Sequence, residues 1–249
     1  MMMNNDVRSE LKHWNKLPRN VSLESVWGWE TAAGQLRARR RAQLIIRKTC
    51  LTRHVSSLEI GCGTGLFTEL VAGLGGPTVA IDLVPRFVEL AKKRNLPNVR
   101  FEVFDAYRIE PPKFGSPFDV VWGNSVLHHL DLERIVPKVF QLLKPGGRFA
   151  FAEPNMRNPQ IWLERKIGFV RRIRHVSPSE TAFRQEELEK IFMKYGFIEV
   201  ESELFDFLHP LTPRFLVGAV KAFEKVLESF RPTRSIAGSI IISGKRPCV

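Results

Sequence analysis

The run Ser57-Leu58-Glu59-Ile60-Gly61-Cys62-Gly63-Thr64-Gly65 is a short apolar strand that breaks into three alternating glycines and opens onto a helix. Glycine has no Cβ, so this turn can take positive φ and bring backbone N–H groups close to a ligand. The helix that follows directs the positive end of its dipole to the same place. A second apolar run, Val79-Ala80-Ile81, ends in Asp82, whose carboxylate suits a pair of ribose hydroxyls. Strand, glycine turn, helix, strand and acid together predict a nucleotide-like ligand at one edge of a parallel sheet.

The rest of the chain supports such a sheet. Strand-like runs at Ser57–Ile60, Thr78–Ile81, Val99–Phe104, Phe118–Trp122 and Arg148–Ala152 alternate with helical stretches at Gly65–Gly73, Pro85–Arg94 and 131–143. A short or missing helix is expected around 107–114. This alternation predicts a doubly wound α/β fold with right-handed crossovers. Lys144-Pro145-Gly146-Gly147 reads as the tight turn into the fifth strand. Residues 31–50 read as a basic helix with Leu36, Leu44, Ile45 and Ile46 inward and Arg37, Arg39, Arg40 and Arg41 outward. Before it, Trp27 and Trp29 either pack that helix onto the domain or form a flap over the site. Beyond 153 the pattern changes. A basic amphipathic stretch at 159–174, a helix at Glu186–Tyr195 and a strand at Phe197–Phe207 are expected. A periodic helix follows at 214–230, with Leu216, Val220, Phe223, Leu227 and Phe230 on one face, and then a last strand at Ser239–Ser243. The tail strands would form an antiparallel edge with the 214–230 helix inserted between them.

The chain has 249 residues, enough for one large domain, and a formal net charge of +12. That charge suits an anionic partner: a membrane surface, a nucleic acid or an acidic substrate. Cys50, Cys62 and Cys248 fit neither a zinc spacing nor a disulfide framework, which points to no metal and to a cytoplasmic setting. The first residues lack the apolar core of a signal peptide, and no run is long enough to span a bilayer.

The ligand class follows from spacing. Gly61-x-Gly63-x-Gly65 departs from the dinucleotide pattern, and no Lys-Ser/Thr follows as a triphosphate site would require. Asp105, after the third strand, and Gly123-Asn124, after the fourth, fall at the same sheet edge as Asp82.

Five segments in order resemble the class I S-adenosylmethionine-dependent methyltransferases, of the small-molecule and lipid type similar to the ubiquinone and menaquinone biosynthesis domain. They are Leu58–Gly65, Ala80–Leu83, Phe104–Ala106, Phe118–Leu130 (which carries Asn124-Ser125-Val126-Leu127-His128-His129) and Leu143–Gly147. The resemblance implies a Rossmann-like seven-stranded sheet, mostly parallel with an antiparallel edge strand, plus N-terminal helices and a helical lid. Residues 1–50 would form a cap, 51–153 the S-adenosylmethionine-binding core, and 154–249 the lid, insertion and final strands. It further implies that Glu59 orients the glycine loop or reaches the cofactor's amino group through water. Gly61, Cys62, Gly63 and Gly65 would approach its methionine and ribose parts. Asp82 would hold the ribose, with Leu83 against the adenine. Asp105 and Ala106 would meet the adenine amino group, and the Asn124 backbone the methionine part.

Methyl transfer from a sulfonium needs alignment first, and a base only where the acceptor must lose a proton. His128, His129 and Glu153 are the candidate bases, with His175 a further rival; for the histidines the alternative is a buried structural role. The acceptor is expected to be a small lipophilic or anionic molecule methylated on oxygen or carbon, with peripheral contact at an anionic inner membrane surface. The other class left open is an RNA methyltransferase or nucleic-acid binder using the basic surface, less favoured because no RNA-binding module or stacking-aromatic motif is visible.

Overall fold

The computed structural model describes residues 20–166 and 183–248, apart from Pro112 and Ser116, together with Trp14 and Pro18. Among these residues, seven strands form one sheet in the order β3-β2-β1-β4-β5-β7-β6. They are β1 (Ser57–Ile60), β2 (Thr78–Asp82), β3 (Val99–Val103), β4 (Phe118–Asn124), β5 (Leu143–Pro154), β6 (Ile198–Phe205) and β7 (Ser239–Lys245). Strands β1 to β5 pair in parallel, and β7 runs antiparallel between β5 and β6. The sheet therefore ends in the antiparallel-paired edge expected from the tail. The order reverses between β1 and β4, so the crevice beyond their carboxyl ends is the topological switch point, where ligands bind in open α/β sheets.

Side-chain alternation assigns the two faces. Val120, Trp122, Ala150 and Ala152 face helices α2 (Ala32–Thr49) and α3 (Leu66–Ala72); the small alanines make room for the Trp122 indole. Val121, Phe149 and Phe151 point the other way, onto α5 (Leu132–Leu142) and α7 (Gln185–Lys194). Helix α4 (Pro85–Lys92) covers β2 and β3 through Val88 and Ala91. Within α5, Pro137 cannot donate to the Glu133 carbonyl, and the Tyr195 hydroxyl donates to it instead at 3.0 Å. The weak helix expected at 107–114 is two 3-10 turns, Ala106–Arg108 and Lys113–Gly115.

One expectation is corrected. Arg41 does not face solvent: it is 3% exposed, beneath α2. The periodic helix expected at 214–230 spans Val217–Ser229 (α8), and its apolar face turns outward: Phe223 and, just past its end, Phe230 are 68% and 62% exposed, while Glu224 is buried. Partners distant in sequence set both orientations: Arg41 reaches Asn124, Ser125 and Ser239, and α8 is held by ion pairs. Arg40 Nη1 meets Glu224 at 2.9 Å and its Nη2 meets Glu228 at 2.6 Å, while Arg37 meets Asp206 at 2.6 Å. The basic stretch expected at 159–174 is helical over Pro159–Lys166 (α6); its continuation lies outside the described residues, as does His175.

Candidate active site

The glycine turn closes on β2. Gly61 and Cys62 each donate a backbone N–H to the Ile81 carbonyl at 2.9 Å. Gly61, Gly63 and Gly65 have φ of +74°, +52° and +79°, and a Cβ on Gly61 would collide with the Val126 side chain. Positive φ together with this close approach makes glycine the fitting residue here. The Cys62 side chain is buried with Ala80, Val88, Ala91 and Phe101, and burial pushes its thiol well above its ordinary pKa. Any part Cys62 plays toward a ligand is thus through its backbone.

Asp82, at the end of β2, accepts from Gly63 N at 2.8 Å and Val84 N at 2.9 Å, one bond to each carboxylate oxygen. Each oxygen keeps a second lone pair, so the group can also accept from two hydroxyls. Burial raises its pKa, against the lowering effect of those two N–H donors. Leu83, next in the chain, is half-buried. Asp105 is half-buried at the end of β3 and accepts from Tyr107 N at 3.0 Å, with Ala106 buried beside it. The loop, Asp82 and Asp105 therefore stand at the carboxyl ends of three adjacent strands, and their donors and acceptors suit a ribose with an attached base.

Glu59 lies one layer deeper. Its side chain is buried and accepts from the Thr68 hydroxyl at 2.5 Å, tying β1 to α3 across the loop. Burial pushes its pKa up to about 8, with the Asp82 charge adding to the effect. The folded state thus holds this proton when the unfolded chain has released it, so the contribution to stability is complete below the unfolded value of 4.5 and is lost as pH rises towards about 8. At most about 5 kcal/mol is at stake. Wild-type protein should lose urea resistance between pH 6 and pH 8.5, and Glu59→Gln, which mimics the protonated acid, should flatten that loss. Parallel pH profiles for the two proteins would show that Glu59 is ionised in the folded state.

At the end of β4 the side chains turn to two sets of partners. Arg41 donates to Asn124 Oδ1 at 2.9 Å, Ser125 Oγ at 3.1 Å and Ser239 Oγ at 2.5 Å. Its guanidinium lies within 6 Å of the Trp29 and Phe205 rings. Burial lowers its pKa to about 10, so it stays charged at neutral pH. Ser125, at φ 54°, sits in the left-handed region that few non-glycine residues adopt. Asn124 thus spends its side-chain oxygen on Arg41, and its peptide remains the part that can address a ligand.

On the other side of β4, Glu153 from β5 is fully buried. It accepts from Val126 N at 3.0 Å and Leu127 N at 2.8 Å and pairs with His128 Nδ1 at 2.7 Å. Burial pushes the carboxyl up, but facing His128 and the two N–H donors outweigh it and hold its pKa below the ordinary value. Sequence reasoning placed Glu153 beside the acceptor as a rival base; the structure places it behind His128. The His129 ring lies 4.2 Å from that of His128.

The N-terminal segment covers the loop, with the two tryptophans in different roles. Trp27 packs edge-on with Trp14 and Phe87, at 5.7 and 5.4 Å, and its ring faces Gly63. Trp29 packs on Phe67 at 5.3 Å. Glu24, in α1 (Leu23–Val26), accepts from the Thr64 hydroxyl at 2.8 Å and pairs with Arg94, whose Nε donates to the Thr64 carbonyl. The Glu24–Thr64–Arg94 clasp has no local signal in the sequence, since Thr64 and Arg94 lie 40 and 70 positions from Glu24.

Residues 58–151 match the family described as Methyltransferase domain. The ubiquinone biosynthesis O-methyltransferase of Nitrosococcus oceani is 30% identical over 169 residues, covering 65% of this chain and 70% of that protein. The protein of the same name from Xylella fastidiosa is 36% identical over 143 residues, covering 54% of this chain and 56% of the relative. Among solved structures, the N-methyltransferase NodS of Bradyrhizobium japonicum, in complex with S-adenosyl-L-homocysteine, superposes with a TM-score of 0.60 at 17% identity, covering 98% of this chain and all of the other. The [4+2]-cyclase SpnF superposes with a TM-score of 0.62 at 20% identity, covering 91% and 92%. At these identities the superpositions speak to the fold alone, and a cyclase among them illustrates that this fold does not fix a reaction. The sequence relatives and the matched domain do assign the chain: it belongs to the class I S-adenosylmethionine-dependent methyltransferases.

Proposed function

We propose that this enzyme methylates an oxygen or carbon of a small acceptor that is lipophilic or anionic, working in the cytoplasm with peripheral contact at an anionic membrane surface. S-adenosylmethionine supplies an electrophilic methyl group. The observation that carries the reading is the His128–Glu153 pair, held at the exit of β4 beside the strand ends that carry Gly61–Gly65 and Asp82. The relatives named for ubiquinone O-methylation favour oxygen as the acceptor atom.

In this reading Asp82 accepts from both ribose hydroxyls and Leu83 packs on the adenine. Asp105 and Ala106 meet the adenine amino group. The peptides of Gly61, Cys62, Gly63 and Asn124 line the methionine part, and Gly65 starts the helix that faces it. Glu59 orients the loop through Thr68. Trp27 and the clasp above Gly63 exclude water. Such alignment lowers a bimolecular barrier by about 7–11 kcal/mol. His128 takes the acceptor's proton, and the Glu153 carboxylate on its Nδ1 stabilises the imidazolium that forms. The tilted His129 ring packs on that of His128, and Glu153 is a positioning residue.

The test is a turnover screen over catechols, quinols, hydroxylated lipids, amines and RNA, read by release of S-adenosylhomocysteine and by mass analysis of the product. Methyl ethers or C-methyl products from a phenolic, quinol or lipid acceptor are expected. Turnover confined to amines or to RNA would overturn the acceptor class.

A further inference from the structure

Helix α8 is built inside out. Its inner face carries Glu224, which accepts from Phe207 N at 2.8 Å, and Glu228, which accepts from Asp206 N at 2.9 Å; both pair with Arg40. These contacts fix how the helix is rotated. Turning it to bury its apolar side would leave Arg40 and the Asp206 and Phe207 N–H groups without their carboxylate partners on the inner face, and unpaired polar groups there are costlier than an exposed phenylalanine. The outer face consequently presents Phe223, Val226 and Phe230, at i, i+3 and i+7, in line with Phe215 from the preceding turn. They are 68%, 64%, 62% and 84% exposed. A stripe of large apolar groups pinned outward marks an interaction surface.

The charges of the same segment say what it meets. Between residues 207 and 238 the only acids are Glu224 and Glu228, both engaged on the inner face. The cations Arg214, Lys221, Lys225, Arg231 and Arg234 are all exposed. The accessible charge of this region is thus entirely positive around an aromatic stripe, which is complementary to an anionic lipid surface. Asn158 ties the start of α6 to the segment through the Ile236 carbonyl at 2.8 Å, and α6 exposes Trp162 and Leu163.

We propose that the outer face of α8, with Phe215 before it, is the surface by which this enzyme docks on an anionic membrane, its phenylalanines entering the headgroup boundary. This rests on the membrane contact proposed above and gives it a location. The docking is peripheral, since no helix among the described residues is long and apolar enough to cross a membrane.

The experiment is sedimentation of the full chain with phosphatidylcholine vesicles, with and without phosphatidylglycerol, at low and high salt. A triple variant, Phe223→Ser/Val226→Ser/Phe230→Ser, runs alongside, with S-adenosylhomocysteine binding as its folding control. Wild-type protein should pellet with the anionic vesicles, fall several-fold with neutral lipid or high salt, and lose about 10-fold or more in the variant while ligand binding is kept. Failure of wild-type protein to pellet would overturn membrane contact altogether. Pelleting that the triple variant leaves intact would overturn this face alone. A dimer that the variant dissociates, with no vesicle binding, would assign the stripe to a second copy of the chain.

Discussion

Glu153→Ala should cost several kcal/mol of folding stability, because it leaves three buried hydrogen-bond donors unpaired at about 1–3 kcal/mol each. The change strands Val126 N and Leu127 N and leaves His128 Nδ1 without its partner at the exit of β4. Whole domains are stable by only about 5–15 kcal/mol, so the urea midpoint should fall by a large fraction. Glu153→Gln keeps the shape and one acceptor oxygen, so it should fold better than the alanine variant yet turn over slowly, with kcat reduced and the KM for the methyl donor little changed. A depressed carboxyl pKa also gives a sign: the contribution of Glu153 is present above the ordinary carboxylate pKa and is lost as pH falls through its lower folded value. The acid-side stability loss should therefore shrink in Glu153→Gln. An alanine variant that kept full stability and lost only activity would instead make Glu153 an accessible base.

Asp82→Ala should weaken the methyl donor by roughly 100-fold or more, since two hydrogen bonds to a charged group are removed, each worth about 1.5–3 kcal/mol. The same change orphans the Gly63 and Val84 N–H groups, which hold the glycine turn to β2. Asp82→Asn should fall in between: one oxygen still accepts, while the new amide meets an N–H donor or a ribose hydroxyl in the wrong sense. Both effects should appear as a raised KM for S-adenosylmethionine in turnover assays. An unchanged KM in the alanine variant would show that the ribose is held elsewhere.

Sequence reasoning reached the parts of the site whose logic is local. The bounds of β1 at Ser57–Ile60, the start of α4 at Pro85 and the insertion between β6 and β7 all follow from short-range pattern, turn chemistry and alternation. The same holds for the positions of Gly61–Gly65 and Asp82, which sit at the end of one strand and the start of one turn. What it missed depends on distant pairing. Nothing near Arg41 distinguishes it from Arg37, Arg39 and Arg40; its partners Asn124 and Ser239 lie 83 and 198 positions away. The shared face of Leu216, Val220, Phe223, Leu227 and Phe230 is legible in the sequence, but the direction in which α8 turns it is not. The sequence does not show that Arg40, 188 residues from Glu228, draws the acidic side inward. Glu153 was found as a titratable group past the fifth strand, but its role as an acceptor for the β4 exit needs the register of Asn124 against Ala152.

The orientation of α8 also separates the two halves of the enzyme. The donor half is built from strand ends and glycine geometry that many relatives of this fold would carry. The acceptor half depends on what the cap, α6 and α8 present, and there sequence periodicity leaves open which face of α8 turns outward.

The central claim is that the crevice formed by Gly61–Gly65 and Asp82 holds the methyl donor. Titration calorimetry of S-adenosylhomocysteine into the full-length protein tests it most directly. Saturable binding at one site per chain, weakened roughly 100-fold by Asp82→Ala, is the result the site geometry requires. Folded wild-type protein that takes up no ligand, or an Asp82→Ala variant that binds as tightly as wild type, would contradict it.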